Sequence, residues 1–235
     1  MAIQAPSQLP LALAHPPQHG RDSFLPGRSN RAALALVERW PDWPAPIALL
    51  SGPAGSGKTH LAHIWAERSG ARLIAATDLA FPGRVQLARG EWIAMEDVAP
   101  EDVPEAELFH LINSARESGA GLLITSRAAA PTWRIALSDL RSRLRLAAPA
   151  ALEAPDDDLL RQVLVKLFAD RQLVVERPVI DFLLVRMERS LSAAGQLVEA
   201  LDREALAQAG PITRPMAARI LSAAADSAAE FAVRK

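Results

Sequence analysis

The stretch Gly52-Pro53-Ala54-Gly55-Ser56-Gly57-Lys58-Thr59 constrains this chain more than any other. It follows a short apolar run, Ile47-Ala48-Leu49-Leu50-Ser51, and precedes a segment of helical spacing, residues 60–69, that Gly70 closes. In the pattern Gly-x-x-x-x-Gly-Lys-Thr, the glycines let backbone N–H groups turn inward around phosphate oxygens, and the following helix points its positive end at them. Lys58 would then reach the terminal phosphates, and Thr59 would bind Mg²⁺. A chance glycine-rich turn needs neither a strand before it nor a helix after it. The run 47–51 does not alternate with polar residues, so it predicts a strand buried on both faces, as in a parallel sheet covered by helices.

The rest of the first 150 residues keeps that rhythm. Residues 30–40 have helical spacing, with Ala33, Leu34, Val37 and Trp40 on one face and Asn30 as a candidate N-cap; Pro41, Pro44 and Pro46 end the helix. Further strands are expected at 72–76, at 91–95 (closing on Glu96-Asp97) and at 121–125, with a helix over 104–118 stopped by Gly119. This alternation predicts a three-layer α/β/α fold with a parallel sheet. After Pro149 the strand-like runs mostly stop, and residues 156–172, 178–189, 192–209 and 214–225 carry helical spacing. Asp156 and Ser192 are candidate N-caps, and Leu173-Val174-Val175 fits a short extended stretch. The expected organisation is a Pro-, Gln- and His-rich tail (1–22), a nucleotide-binding domain (23–150) and a small helical lid (151–235).

Composition narrows the function classes. The net charge of −1 gives no basic excess of the kind that grips DNA phosphates, so direct sequence-specific DNA binding is not expected. The absence of cysteine excludes disulfides and Cys-based metal sites. No apolar run is long enough to span a bilayer. The start of the chain lacks a basic n-region, which together with the missing cysteines points to the cytoplasm.

Other residues suggest chemistry around the loop. Glu96 and Asp97 end a predicted strand, where open parallel sheets bind ligands. One carboxylate could hold Mg²⁺ through water and the other orient an attacking water; alternatively, both are solvated acids starting a loop. Thr125-Ser126-Arg127 ends the next strand, where a polar side chain either touches a γ-phosphate or closes the strand by hydrogen bonding. In the tail, Gln8-Leu9-Pro10-Leu11-Ala12-Leu13 could insert leucines into a partner's groove or pack on the chain's own body. Arg134, Arg141, Arg143 and Arg145 read, from composition alone, as a solvated basic strip.

Several segments together resemble the AAA+ ATPases of the DnaA family, and within it the short Hda regulators that switch the initiator off. They are Phe24-Leu25-Pro26-Gly27-Arg28-Ser29-Asn30, the phosphate loop, Met95-Glu96-Asp97-Val98, Leu123-Ile124-Thr125-Ser126 and Asp139-Leu140-Arg141-Ser142-Arg143-Leu144. The resemblance implies that Arg143 is a trans-acting arginine finger. It also implies that Gln8, Leu9, Leu11 and Leu13 dock on the DNA sliding clamp, and that Asp22 and Phe24 border the adenine, although Phe24 could equally pack in the core. ADP or ATP is the implied ligand of residues 52–59, with Mg²⁺ at Thr59 and Glu96 and with Asp97 in a catalytic place. The implied partners are the clamp and DnaA, with a homodimer among the expected assemblies. The sequence ends at Lys235, where the initiator continues into a DNA-reading helix-turn-helix domain, and this favours the regulator.

Three departures from the family pattern stand out. Glu96 replaces the usual Asp, the Asp that often follows Thr-Ser is missing, and the lid's phosphate-contacting Arg falls on Gly195. The last of these argues for a hydrolysis-promoting partner over a fast ATPase. The alternative function is an independent AAA+ ATPase acting as a helicase-loading or remodelling factor.

Overall fold

The computed structural model describes residues 19–81 and 83–233, the last ten of them (224–233) by backbone alone. The clamp-binding expectation at Gln8, Leu9, Leu11 and Leu13 therefore lies outside the described residues. The backbone forms two compact units. The larger runs to Leu159 and takes in Arg189–Ser192; the smaller holds Leu160–Glu188 and the chain from Ala193 onward.

The larger unit is built on five parallel strands: β1 (Ile47–Ser51), β2 (Arg72–Ala75), β3 (Trp92–Val98), β4 (Gly121–Ser126) and β5 (Ala148–Ala151). Their order is β2-β3-β4-β1-β5. The helices of this unit that flank them are α1 (Arg31–Arg39), α2 (Lys58–Ser69), α3 (Glu105–Ser118) and α4 (Ser138–Arg145). The parallel α/β fold expected from the alternation is the fold observed.

Strand side chains alternate between two cores. Ile47, Leu49, Ile93, Met95, Leu122 and Ile124 pack with Leu108, Ile112, Leu140 and Leu144 of α3 and α4. Ala48, Leu50, Ala94 and Leu123 pack with Leu34, Val37, Leu61 and Trp65 of α1 and α2. Because both faces are covered, β1 and β4 are apolar along nearly their whole length. At the N-terminal end of the strands Trp40, Trp43, Trp65 and Trp92 pack ring against ring, with Trp43 stacked on the fully buried Trp65 at 5.1 Å.

Three local details differ from the sequence reading. Asn30 precedes α1 but does not cap it. Its Oδ1 accepts from the Gly27 N–H at 2.8 Å and its Nδ2 donates to the Leu25 carbonyl at 3.0 Å, bracing the loop before the helix. The strand β5, Ala-Pro-Ala-Ala, carries no β-branched residue. It pairs with β1 at the sheet edge, a position that tolerates Pro149. Finally, α7 (Leu191–Gln208) starts one residue before Ser192, which therefore stands inside the helix.

The remaining helices are α5 (Asp157–Asp170), α6 (Arg177–Arg186) and α8 (Arg214–Val233). Asp156 caps α5 as expected, its Oδ1 accepting from the Leu159 N–H at 2.8 Å. The smaller unit has its own core, including Leu164, Phe168, Ile180, Leu183, Leu197, Val198, Leu201 and Met216. Arg161 pairs with Asp181, and Arg171 with Asp202 at 3.8 Å. Among the described residues no helix is long and apolar enough to cross a membrane.

Candidate functional site

The chain leaves β1 at the C-terminal edge of the sheet and enters the loop Gly52–Thr59. Gly55 and Gly57 have φ of 66° and 103°, values that side chains resist, and they turn the loop into the N-terminus of α2. There is no room for a side chain either. A Cβ on Gly52 would come within 2.4 Å of the Leu152 carbonyl, and one on Gly55 within 1.9 Å of Ser190 Oγ. Lys58 is the first residue of α2 and is 6% exposed. Its Nζ donates to the Gly52 and Pro53 carbonyls, both at 2.8 Å. Burial lowers the Lys58 pKa; the charge of Asp97 opposes this and that of Arg127 adds to it.

The ends of β3 and β4 lie beside the loop. The Gly52 N–H donates to the Ser126 carbonyl at 3.1 Å, tying the loop to β4. Thr125 is fully buried, and its Oγ1 accepts from the Asp97 N–H at 3.0 Å, so its hydroxyl closes the strand end. Asp97 has φ of 52° where the β3–β4 register shifts between Met95 and Val98. A non-glycine residue held in that region costs of order 1 kcal/mol or more, and such strain concentrates at functional sites. Lys58, Asp97 and Arg127 are thus gathered at one edge of the sheet.

Glu96 lies toward α2. Its Oε2 lies 4.0 Å from His63 Nε2, and its buried Oε1 has no protein partner. The buried Ser56 Oγ in the loop is likewise without one. Buried polar atoms of this kind are normally satisfied by water, an ion or a ligand. A cradle that excludes side chains, a buried ammonium and these two orphaned oxygens fit a phosphate group with a divalent cation. Thr59 is exposed at the start of α2. Among the described residues no preformed group of three or more His, Asp or Glu could hold a metal by itself.

Sequence reasoning missed three histidines. His19 stacks on His63 at 4.6 Å, and His60 meets His19 and Phe24 edge-on at 5.3 and 5.1 Å. His60 Nε2 lies 3.2 Å from Ser23 Oγ and 3.1 Å from the Gly20 carbonyl. His60 and His63 stand three apart on α2, a spacing that could have signalled a shared face. Burial lowers the pKa of both His19 and His60. A lowered imidazole pKa means the unfolded chain binds the proton more readily, so stability is present above the ordinary histidine value and lost as pH falls through it. The melting temperature is expected to drop between about pH 7 and about pH 5, and His60→Gln to flatten that slope. Equal slopes in the two proteins would show that His60 does not carry the effect.

Phe24 is 4% exposed and packs in the core against His60. Asp22 is exposed and borders a cavity of about 660 Å³ between residues 20–23 and helices α1 and α2. That cavity is lined by Ile64, Glu67 and Arg68, more than a turn along α2 from the loop, so its size does not mark the phosphate site.

Arg143 belongs to α4. Buried Leu140 and Leu144 anchor this helix, and the residues leading into it are clipped by Glu105, whose carboxylate accepts from the Ala136 and Leu137 N–H groups at 2.9 and 2.7 Å. Those two hydrogen bonds hold the Glu105 pKa below its ordinary value. Arg143 is half-buried and, among the described residues, has no ion-pair or hydrogen-bond partner for its guanidinium; Arg134, Arg141 and Arg145 are exposed.

No family model matches the chain. In sequence it is 28% identical to the chromosomal replication initiator protein DnaA of Sphingopyxis alaskensis, over 81% of this chain and 48% of that protein. It therefore spans about half the length of this curated relative. In structure it is similar to domain III of Thermotoga maritima DnaA, with a TM-score of 0.75 and 18% identity over 88% of this chain and 96% of that one. AMPPCP-bound DnaA from Aquifex aeolicus gives a TM-score of 0.62 and 21% identity over 78% and 64% of the two chains. The Holliday junction branch migration motor RuvB of Thermotoga maritima gives 0.65 and 18% over 84% and 69%. These structures share the fold of the chain, and in sequence the chain is similar to DnaA at 28% identity.

Proposed function

We propose that this protein is a negative regulator of replication initiation, which docks on the DNA sliding clamp and promotes hydrolysis of the ATP held by DnaA. The observation that carries the reading is Arg143. It stands on a short helix anchored by two buried leucines and by Glu105, with no intramolecular partner for its charge among the described residues. Leu146, which follows α4, is 67% exposed, so an apolar contact lies beside the basic one. A planar guanidinium that forks onto phosphate oxygens suits charge building on a γ-phosphate across a subunit interface. The similarity to DnaA supports a partner of that kind. Gln8, Leu9, Leu11 and Leu13 would carry the clamp contact, giving the weak, reversible docking of a short peptide.

The chain's own loop, Gly52 to Thr59, would hold ADP or ATP, as the AMPPCP-bound neighbour supports. Thr59 and Glu96 would hold Mg²⁺, which supplies charge neutralisation at the phosphates. Lys58 binds the terminal phosphates, Asp97 sets the charge opposite it, and Asp22 remains the candidate contact toward the base. The division into tail (1–22), nucleotide-binding domain (23–150) and lid (151–235) belongs to this reading. Bound nucleotide acts by differential affinity, favouring the state that docks.

One observation favours the alternative of an independent ATPase: the charges of Asp97 and Arg127 both act on Lys58 in the chain's own loop. Turnover by the isolated protein separates the two. A regulator is expected to hydrolyse ATP negligibly without its partner, whereas sustained turnover alone would favour the motor.

A further inference from the structure

The smaller unit pairs most of its positive side chains within itself. Arg161 meets Asp181, Lys166 meets Asp170, Arg171 meets Asp202, Arg203 meets Glu199 and Arg219 meets Glu204. Among the described residues, Arg177, Arg186 and Arg214 have no carboxylate partner. The last two converge on one aromatic ring. The Arg186 guanidinium lies 4.0 Å from the centroid of Phe182, and that of Arg214 lies 5.3 Å from it. Arg186 Nη1 also donates to the Phe182 carbonyl at 3.4 Å. Glu188, exposed just beyond α6, pairs with neither arginine.

Helical spacing puts these groups on one surface. Phe182, Val185 and Arg186 stand three and four residues apart on α6, while Val179, Ile180, Leu183 and Leu184 of the same helix are buried. Arg214 and Pro215 begin α8, which packs beside α6, and both are exposed. Val185 is 80% exposed. A guanidinium lying over a ring keeps its in-plane N–H donors available and loses less freedom when it forks onto a carboxylate. Arginine and aromatic side chains together are the usual anchors of protein interfaces. Nucleic acid would call for a longer run of unpaired cations along its phosphates. Here five of the neighbouring cations are already taken by carboxylates, and the two arginines stand next to the apolar Val185 and Pro215.

We propose that the α6–α8 face of the smaller unit binds an acidic segment of a partner protein, with Arg186 and Arg214, gathered on Phe182, receiving its carboxylates and Val185 receiving an adjoining apolar side chain. The proposal depends neither on nucleotide in the phosphate loop nor on Arg143.

The test is a titration of the isotope-labelled full chain, followed by amide NMR, with three probes: a short peptide of Glu and Leu, the same peptide with Lys for Glu, and a single-stranded oligonucleotide. The acidic peptide is expected to shift the amides of Phe182, Val185, Arg186 and Arg214 saturably, with a Kd of roughly 100 µM, and to weaken with added salt. The other two probes should leave those amides in place. Arg186→Ala combined with Arg214→Ala should weaken the acidic peptide about tenfold or more, with an unchanged spectrum elsewhere as the sign that the variant is folded. Arg214→Ala alone, at an exposed helix start, should show part of that loss and serves if the double variant is unfolded. Absence of shifts at these amides with the acidic peptide would overturn the proposal, as would equal binding by the variants or by the Lys peptide. Tighter binding of the oligonucleotide at the same amides would replace the acidic segment with a phosphate backbone. Shifts there that follow protein concentration without any probe would replace it with a second copy of this chain.

Discussion

An Arg143→Ala variant is expected to fold and melt like the wild type and to lose the stimulation of ATP hydrolysis on DnaA, by about 10³-fold or more if the arginine acts as a full finger. The fold survives because α4 is held by Leu140, Leu144 and the Glu105 clip, none of which involves the Arg143 side chain. The rate falls because alanine leaves charge on the transferring phosphoryl group unneutralised in a site closed to water. Arg143→Lys should restore little, since an ammonium cannot fork across two phosphate oxygens. Arg141→Ala and Arg145→Ala, on exposed positions of the same helix, should cost far less. Similar losses for all three would mean that α4 offers a general basic surface and no finger.

The second large effect is at Lys58. Its Nζ is buried and bonded only to the Gly52 and Pro53 carbonyls, so its charge is held in the loop with no carboxylate in direct contact. A phosphate offers such an ammonium a stronger, ionic partner. Lys58→Ala is expected to reduce nucleotide affinity by roughly a hundredfold, as two charged contacts are lost. Thermal shift reports this directly. A ligand at about 100 times its Kd stabilises a protein by roughly 2.7 kcal/mol, and the variant should show little of that rise. An undiminished shift would place the nucleotide away from this loop.

Much of this architecture is legible in the sequence, and the reasons are local. Strands β1 and β4 read clearly because burial on both faces leaves an unbroken apolar run. The loop reads clearly because its glycines are required by close contacts that any side chain would violate. The edge strand β5 was not legible. Ala148, Pro149, Ala150 and Ala151 have low strand propensity and pair only because β1 offers them an edge. The site was legible in part. Lys58, Asp97 and Thr125 fall at strand and helix ends that the alternation locates. The proximity of His19 to His63, and of Arg127 to Lys58, depends on side-by-side packing of segments distant in sequence. Asn30 shows the opposite case: a residue type that suits a helix cap was taken by a tertiary contact with the loop before it.

The central claim is that the protein directs hydrolysis in another subunit. The most direct test measures ATP turnover by DnaA in the presence of the sliding clamp loaded on DNA, with and without this protein. The account predicts that turnover rises only when clamp and protein are both present, and that the protein alone contributes almost none. No rise with DnaA, together with steady hydrolysis by the protein alone, would contradict it and favour an ATPase working through its own Lys58, Asp97 and Arg127.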